Sequence, residues 1–145
     1  MLTEISPANA YLLASATMQF RNAEHARTFA VLDHTMAVVA GEAETVTGYC
    51  WGYHLQRPYS SAMAYVHELE VAERHWRRGI GRELMLAFLG AAQQRGATKV
   101  FLTTGSGNVA ARSLYDTIGG QIADQGDTTN YWWNLERSPQ GVTRH

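Results

Sequence analysis

The segment Arg77-Arg78-Gly79-Ile80-Gly81-Arg82 constrains this chain more than any other. It follows an apolar, strand-like run that ends near Ala72 and precedes an amphipathic helical pattern that starts near Arg82. A strand must therefore turn into a helix within a few residues. Backbone N–H groups at a helix start are unpaired and carry partial positive charge. Glycines let a phosphate approach those groups closely, so the segment reads as a diphosphate cradle with arginines around it. The bland alternative is an ordinary turn with solvated arginines. The strand before the loop and the helix after it favour the cradle. No Gly-Lys-Ser/Thr follows, so it is not a Walker loop, and the dinucleotide spacing Gly-x-Gly-x-x-Gly is absent.

The rest of the chain builds a fold around this turn. Leu2 to Ile5 reads as a strand, and Ser6-Pro7 starts a helix to about Gln19. A second helix is predicted over Ala23 to Leu32, and a short strand over Ala37 to Ala40. Gly41 to Glu44 turn the chain into a longer strand, Val46 to Leu55, which Arg57-Pro58 ends. Ala64 to Ala72 is the strand before the cradle. In Arg82 to Gln94, Leu84, Ala87, Phe88 and Ala91 fall at helical spacing, with Gly96 as the stop. Lys99 to Thr104 reads as a buried strand, and Asn108 caps a helix to about Ile118. Gln121 to Asp124 and Tyr131 to Leu135 read as final strands, and the tail from Ser138 as frayed. The order β-α-α-β-β-β-α-β-α-β-β makes an α/β (α+β) fold, a mixed sheet flanked by helices. Strand, helix and strand from Ala64 to Thr104 should form a right-handed crossover with parallel strands. The ligand should then bind at the carboxyl end of the strand before the cradle.

Composition narrows the function. With 145 residues, one domain covering 1–145 is expected. The net charge of -1 gives no general attraction to nucleic acid or to anionic membranes. The lone Cys50 suits a reducing compartment and reads as an inert core thiol. No apolar run is long enough to span a membrane, and the N-terminus lacks a signal-peptide pattern, so a cytoplasmic location is expected.

Three further groups carry chemistry. In Tyr65-Val66-His67-Glu68-Leu69-Glu70-Val71, regular alternation puts Glu68 and Glu70 on one face and His67 and Leu69 on the other. Either carboxylate could take a proton from an amine, directly or through water, while the bland reading is a half-exposed strand with a polar face. His67 and Glu68 would point apart, and no second His stands at metal-ligand spacing, so no metal is expected. On the helix Asn108 to Ile118, Ala111, Leu114, Tyr115 and Ile118 share a face, and the helix alone favours Tyr115 as a core aromatic. Tyr131-Trp132-Trp133 read as core or as a groove lining, with Asp124 and Asp127 as turn formers or a source of negative potential.

Leu69-Glu70-Val71, then Arg77 to Leu84, then Asn108 to Tyr115 and Gly119 together resemble the GNAT superfamily of acetyl-CoA-dependent N-acetyltransferases. The order of elements is similar over nearly the whole chain. The stretch Tyr65 to Val71, His75 and Leu114-Tyr115 look most like the small aminoglycoside 3-N-acetyltransferases.

The resemblance implies that acetyl-CoA is the coenzyme and that no metal is needed. Backbone amides of Arg77, Arg78, Gly79, Gly81 and Arg82, with Ile80 among them, would hold the pyrophosphate. Leu69, Val71, Ala111 and Tyr115 would also contact the coenzyme, Asn108 would touch the pantetheine or its neighbouring loop, and the strand would splay from its neighbour to admit the pantetheine. The Val71 amide would polarise the acetyl carbonyl. Tyr115 would protonate the thiolate, and Glu68, or Glu70, would be the base. Glu68, Glu70, Asp124 and Asp127 would make an acidic cleft for a polycationic amine, an antibiotic in the aminoglycoside case. Other acceptors within this resemblance are a peptide N-terminus, a polyamine or another small amine. A non-catalytic coenzyme A sensor is the reading from another class, and intact Glu68 and Tyr115 argue against it. A homodimer through exposed aromatics would fit, and no nucleic-acid or membrane partner is expected. One position departs from the pattern Gln/Arg-x-x-Gly-x-Gly/Ala: Trp76 stands first.

Overall fold

A computed structural model describes residues 1–123, 126–138 and 141–142. Strand β1 (Leu2–Glu4) leads through a one-turn 3-10 helix (Pro7–Asn9) into α1 (Ala10–Arg21) and α2 (Ala26–Ala30). Strands β2 (Thr35–Glu42), β3 (Thr45–Leu55) and β4 (Met63–Val71) follow as a meander. A second 3-10 turn (Glu73–His75) precedes α3 (Ile80–Gln94), β5 (Lys99–Phe101) and α4 (Val109–Thr117). The sheet order is β1-β2-β3-β4-β5, antiparallel throughout except for the parallel β4–β5 pair. The α/β class and the strand–helix–strand crossover are as expected.

The core has two halves because β2 is buried on both faces. On one face, Met36, Val38, Cys50, Ala64 and Val66 pack against Leu84, Met85, Phe88 and Ala92 of α3. On the other, Val39, Val46 and Tyr49 meet Leu12, Leu13 and Ala16 of α1 and Ala26 of α2. Cys50 is fully buried and burial pushes its thiol up to about 12, which fits an inert core residue. Iodoacetamide should leave it unmodified in the native protein and alkylate it in denaturant; labelling of the native protein, read by intact mass, would contradict this.

One irregularity shapes the site. Trp51 pairs with Glu68 and Gly52 with Val66, so His67 is an extra residue on β4. Gly52 permits this bulge: a Cβ there would lie 1.8 Å from the Tyr65 carbonyl oxygen. The bulge reverses the alternation of β4. Val66 before it and Leu69 and Val71 after it all belong to the α3 side. His67 stacks on Trp51, centroids 4.4 Å apart, and so shares the face of Glu68. The expectation that the two point apart fails for this reason. Among the described residues no three His, Cys, Asp or Glu side chains group as a metal site.

The C-terminal expectations also change. Strand β5 stops at Phe101 rather than Thr104. Residues 121–123 and 131–135 are irregular, and Trp132 is 89% exposed. A strand needs a ladder as well as an alternating pattern, and neither segment pairs with the outer edge of β5. Two short strands, β6 (Arg137–Ser138) and β7 (Gly141–Val142), pair with each other instead. Asp124 lies outside the described residues, as does most of the tail from Ser138.

Candidate active site

The cradle lies where β4 ends. Arg77 (φ 67°) and Gly79 (φ 78°) both adopt the left-handed conformation. That conformation is costly for arginine, and such strain gathers at ligand clamps. Gly79 is the N-cap of α3, and no side chain caps this end. The first intrahelical bond runs from the Glu83 N–H to the Gly79 carbonyl, which leaves the amides of Ile80, Gly81 and Arg82 unpartnered by the helix. Arg77, Arg78 and Arg82 are exposed and free of ion pairs among the described residues. A Cβ on Gly81 would lie 3.4 to 3.9 Å from side-chain atoms of Leu114, Val71 and Leu69, so the cradle, the end of β4 and α4 converge there. Uncapped amides, guanidinium groups with no carboxylate partner among the described residues, and two left-handed residues fit a diphosphate.

Beside the cradle, β4 has an open edge. Its pairing with β5 ends at Tyr65 and Phe101, and residues 66–71 have no strand partner on that side among the described residues. The Ala72 N–H donates to the Thr47 carbonyl of β3 (2.8 Å). Alternation then turns the Leu69 and Val71 amides away from β3, toward the open edge. The Val71 carbonyl faces the same way and accepts from the indole N–H of Trp76 (2.8 Å). An extended arm carrying amides can pair with such an edge.

The other face of β4 holds the carboxylates. Glu68 Oε1 accepts from the Tyr49 hydroxyl (2.5 Å) and the Trp51 indole (2.8 Å), and Arg21 of α1 ion-pairs with Oε2. These donors take three of about four lone-pair positions and fix the carboxylate, whose side chain is only 12% exposed. Glu70 is 41% exposed and lies 3.9 Å from the same guanidinium. Burial raises the Tyr49 phenol above its ordinary range, with Arg21 opposing, so it remains a donor at neutral pH. Arg21, Tyr49 and Trp51 escape a reading by motif. Only the β3–β4 register and the seat of α1 bring them to Glu68.

Helix α4 completes the site. The Asn108 side chain accepts from the Ala111 N–H (3.1 Å) and caps the helix. Tyr115 is half-buried against the α3-side core, and burial, with a smaller contribution from Cys50, raises its phenol. Asp127 is exposed on the irregular segment and makes no ion pair among the described residues.

A sequence model of the acetyltransferase (GNAT) family matches residues 8–119. The chain belongs to that family. GNAT enzymes use acetyl-CoA, and the cradle and open edge described above suit that coenzyme. No curated protein matches the chain. Among solved structures, an aminoglycoside acetyltransferase, meta-AAC0020, from an uncultured soil metagenomic sample in complex with sisomicin superposes with a TM-score of 0.76 at 18% identity, covering 94% of this chain and 96% of that one. Ribosomal-protein-alanine N-acetyltransferase from Brucella melitensis biovar Abortus 2308 gives 0.69 at 19%, covering 91% and 99%. The aminoglycoside N-acetyltransferase AAC(6')-Iy in complex with CoA gives 0.72 at 11%, covering 90% and 93%. At these identities the likeness is one of fold. Among the described residues, no helix is long and apolar enough to cross a membrane.

Proposed function

We propose that this GNAT protein acetylates an amine of a small polycation in the cytoplasm, with the 3-amino group of an aminoglycoside as the first acceptor to test. The observation that carries the reading is the end of β4, where an open backbone edge, an uncapped helix start and two carboxylates meet. Acetyl-CoA supplies the activated acetyl thioester. The amides of residues 77–82 and the arginines anchor the diphosphate. Glu68 receives the proton of the acceptor ammonium, directly or through water, with Glu70 as the alternative. Its three fixed donors hold the carboxylate in one orientation. The Val71 N–H stabilises negative charge developing on the acetyl oxygen. The free amine attacks the acetyl carbon, the C–N bond forms and the C–S bond breaks; Tyr115, kept protonated by burial, gives its proton to the departing sulfur, and the new amide nitrogen loses its second proton to restore the phenol.

A thiol-release assay over aminoglycosides, polyamines and peptide N-termini tests the reading. Turnover highest with an aminoglycoside is expected. Turnover only with peptides or polyamines would move the acceptor class and keep the reaction. Coenzyme A binding without turnover on any amine would favour a sensor.

A further inference from the structure

We infer that Trp76 is a positioning residue that locks the diphosphate cradle to the open edge of β4. The peptide group between Val71 and Ala72 is held on both sides. Its N–H donates to the Thr47 carbonyl and its carbonyl accepts from the Trp76 indole, both at 2.8 Å. Between these residues the chain is bracketed again, by the His75 N–H on the Ala72 carbonyl (2.8 Å) and the Trp76 N–H on the Glu73 carbonyl (3.1 Å). The residue after Trp76 is the left-handed Arg77, the first of the cradle. One indole therefore ties the strand end that carries the Val71 amide to the loop that carries the cradle amides. Trp76 is 59% exposed, so burial contributes little reason for a tryptophan at this position. What the site uses is the N–H donor, and Gln or Arg would also bring one.

The inference rests on the reading of residues 77–82 as the coenzyme cradle, and its test separates the two. Coenzyme A binding to the full chain is measured by calorimetry, and kcat and KM for acetyl-CoA by thiol release, for wild type, Trp76→Phe and Trp76→Gln. Trp76→Phe keeps a ring and removes the donor, and should weaken coenzyme A binding about ten-fold, the size of one hydrogen bond of about 1.4 kcal/mol. Trp76→Gln should recover most of that affinity, and the melting temperature of Trp76→Phe should fall by no more than about 5 °C, as expected for one hydrogen bond. Wild-type affinity in Trp76→Phe, or no recovery in Trp76→Gln, overturns the assignment while the cradle stands. A lower melting temperature with unchanged affinity also overturns it, because the bond is then structural only. A wild-type chain that binds no coenzyme A overturns the cradle reading and the assignment with it.

Discussion

Tyr115→Phe is expected to lower kcat for acetyl transfer at neutral pH by about 100-fold, the lower end of what a positioned general acid contributes. The Michaelis constants should change little, because in the proposed mechanism the phenol would act on the departing sulfur rather than on the bound ground state. The pH dependence is the sharper test. Burial raises the Tyr115 phenol above its ordinary range, so the protonated form is present at neutral pH and is lost only as pH rises through that raised value. In wild type the alkaline loss due to this group therefore falls above the ordinary tyrosine range of about 10. In the variant the deficit should narrow as pH exceeds the range of an ordinary thiol, about 8.5, where the thiolate can leave unprotonated. A variant as fast as wild type at both neutral and high pH would remove Tyr115 from the chemistry and return it to the core role that its helix face suggests.

The largest effect on stability should come from Gly52→Ala. The added methyl would meet the Tyr65 carbonyl oxygen at 1.8 Å, and this contact is with backbone, which cannot rotate away. The β3–β4 ladder must part at the bulge. A loss of about 3 kcal/mol or more is expected, roughly 10 °C in melting temperature for a chain of this size. If Glu68 is the proposed base, acetyl transfer should fall further than stability alone explains, because the bulge sets the register that brings Tyr49 and Trp51 to its carboxylate. Gly90→Ala is the control. Nothing lies within 4 Å of a Cβ there and Gly90 is on the exposed side of α3, so it should stabilise by about 0.5 to 1 kcal/mol. Urea unfolding of the three proteins measures both, and a Gly52→Ala as stable as wild type would mean that the bulge does not depend on glycine.

Much of the fold could be read from local chemistry. Leu84 and Phe88 at helical spacing place α3, and the glycines after the β4 pattern place the cradle, because helix periodicity and left-handed turns are written in adjacent residues. Glu68, Glu70 and Tyr115 were also accessible as candidates, since their residue types and order suffice to single them out. Three things were not accessible. The bulge at His67 depends on how β3 pairs across to β4, and a shift of one residue reverses every face beyond it. The alternation in Tyr131 to Leu135 does not become a strand, because a pattern cannot supply the partner edge. The Trp76 indole reads from sequence as a departure from a pattern, and its bond to Val71 depends on the path of the Glu73–His75 turn.

The sequence by itself determined which segments are strands and helices around residues 77–82, and that a helix starts at that turn with two glycines and unpaired amides. Both follow from interactions among neighbours along the chain: periodic burial, glycine dihedrals and unpaired amides at a helix start. The tertiary structure alone decided that Arg21, Tyr49 and Trp51 converge on Glu68, that His67 joins its face, and that Trp76 pins the end of β4. Those contacts join residues distant along the chain, or turn on a single-residue slip in pairing, and only packing of the whole sheet against α1 and α3 fixes which of them meet.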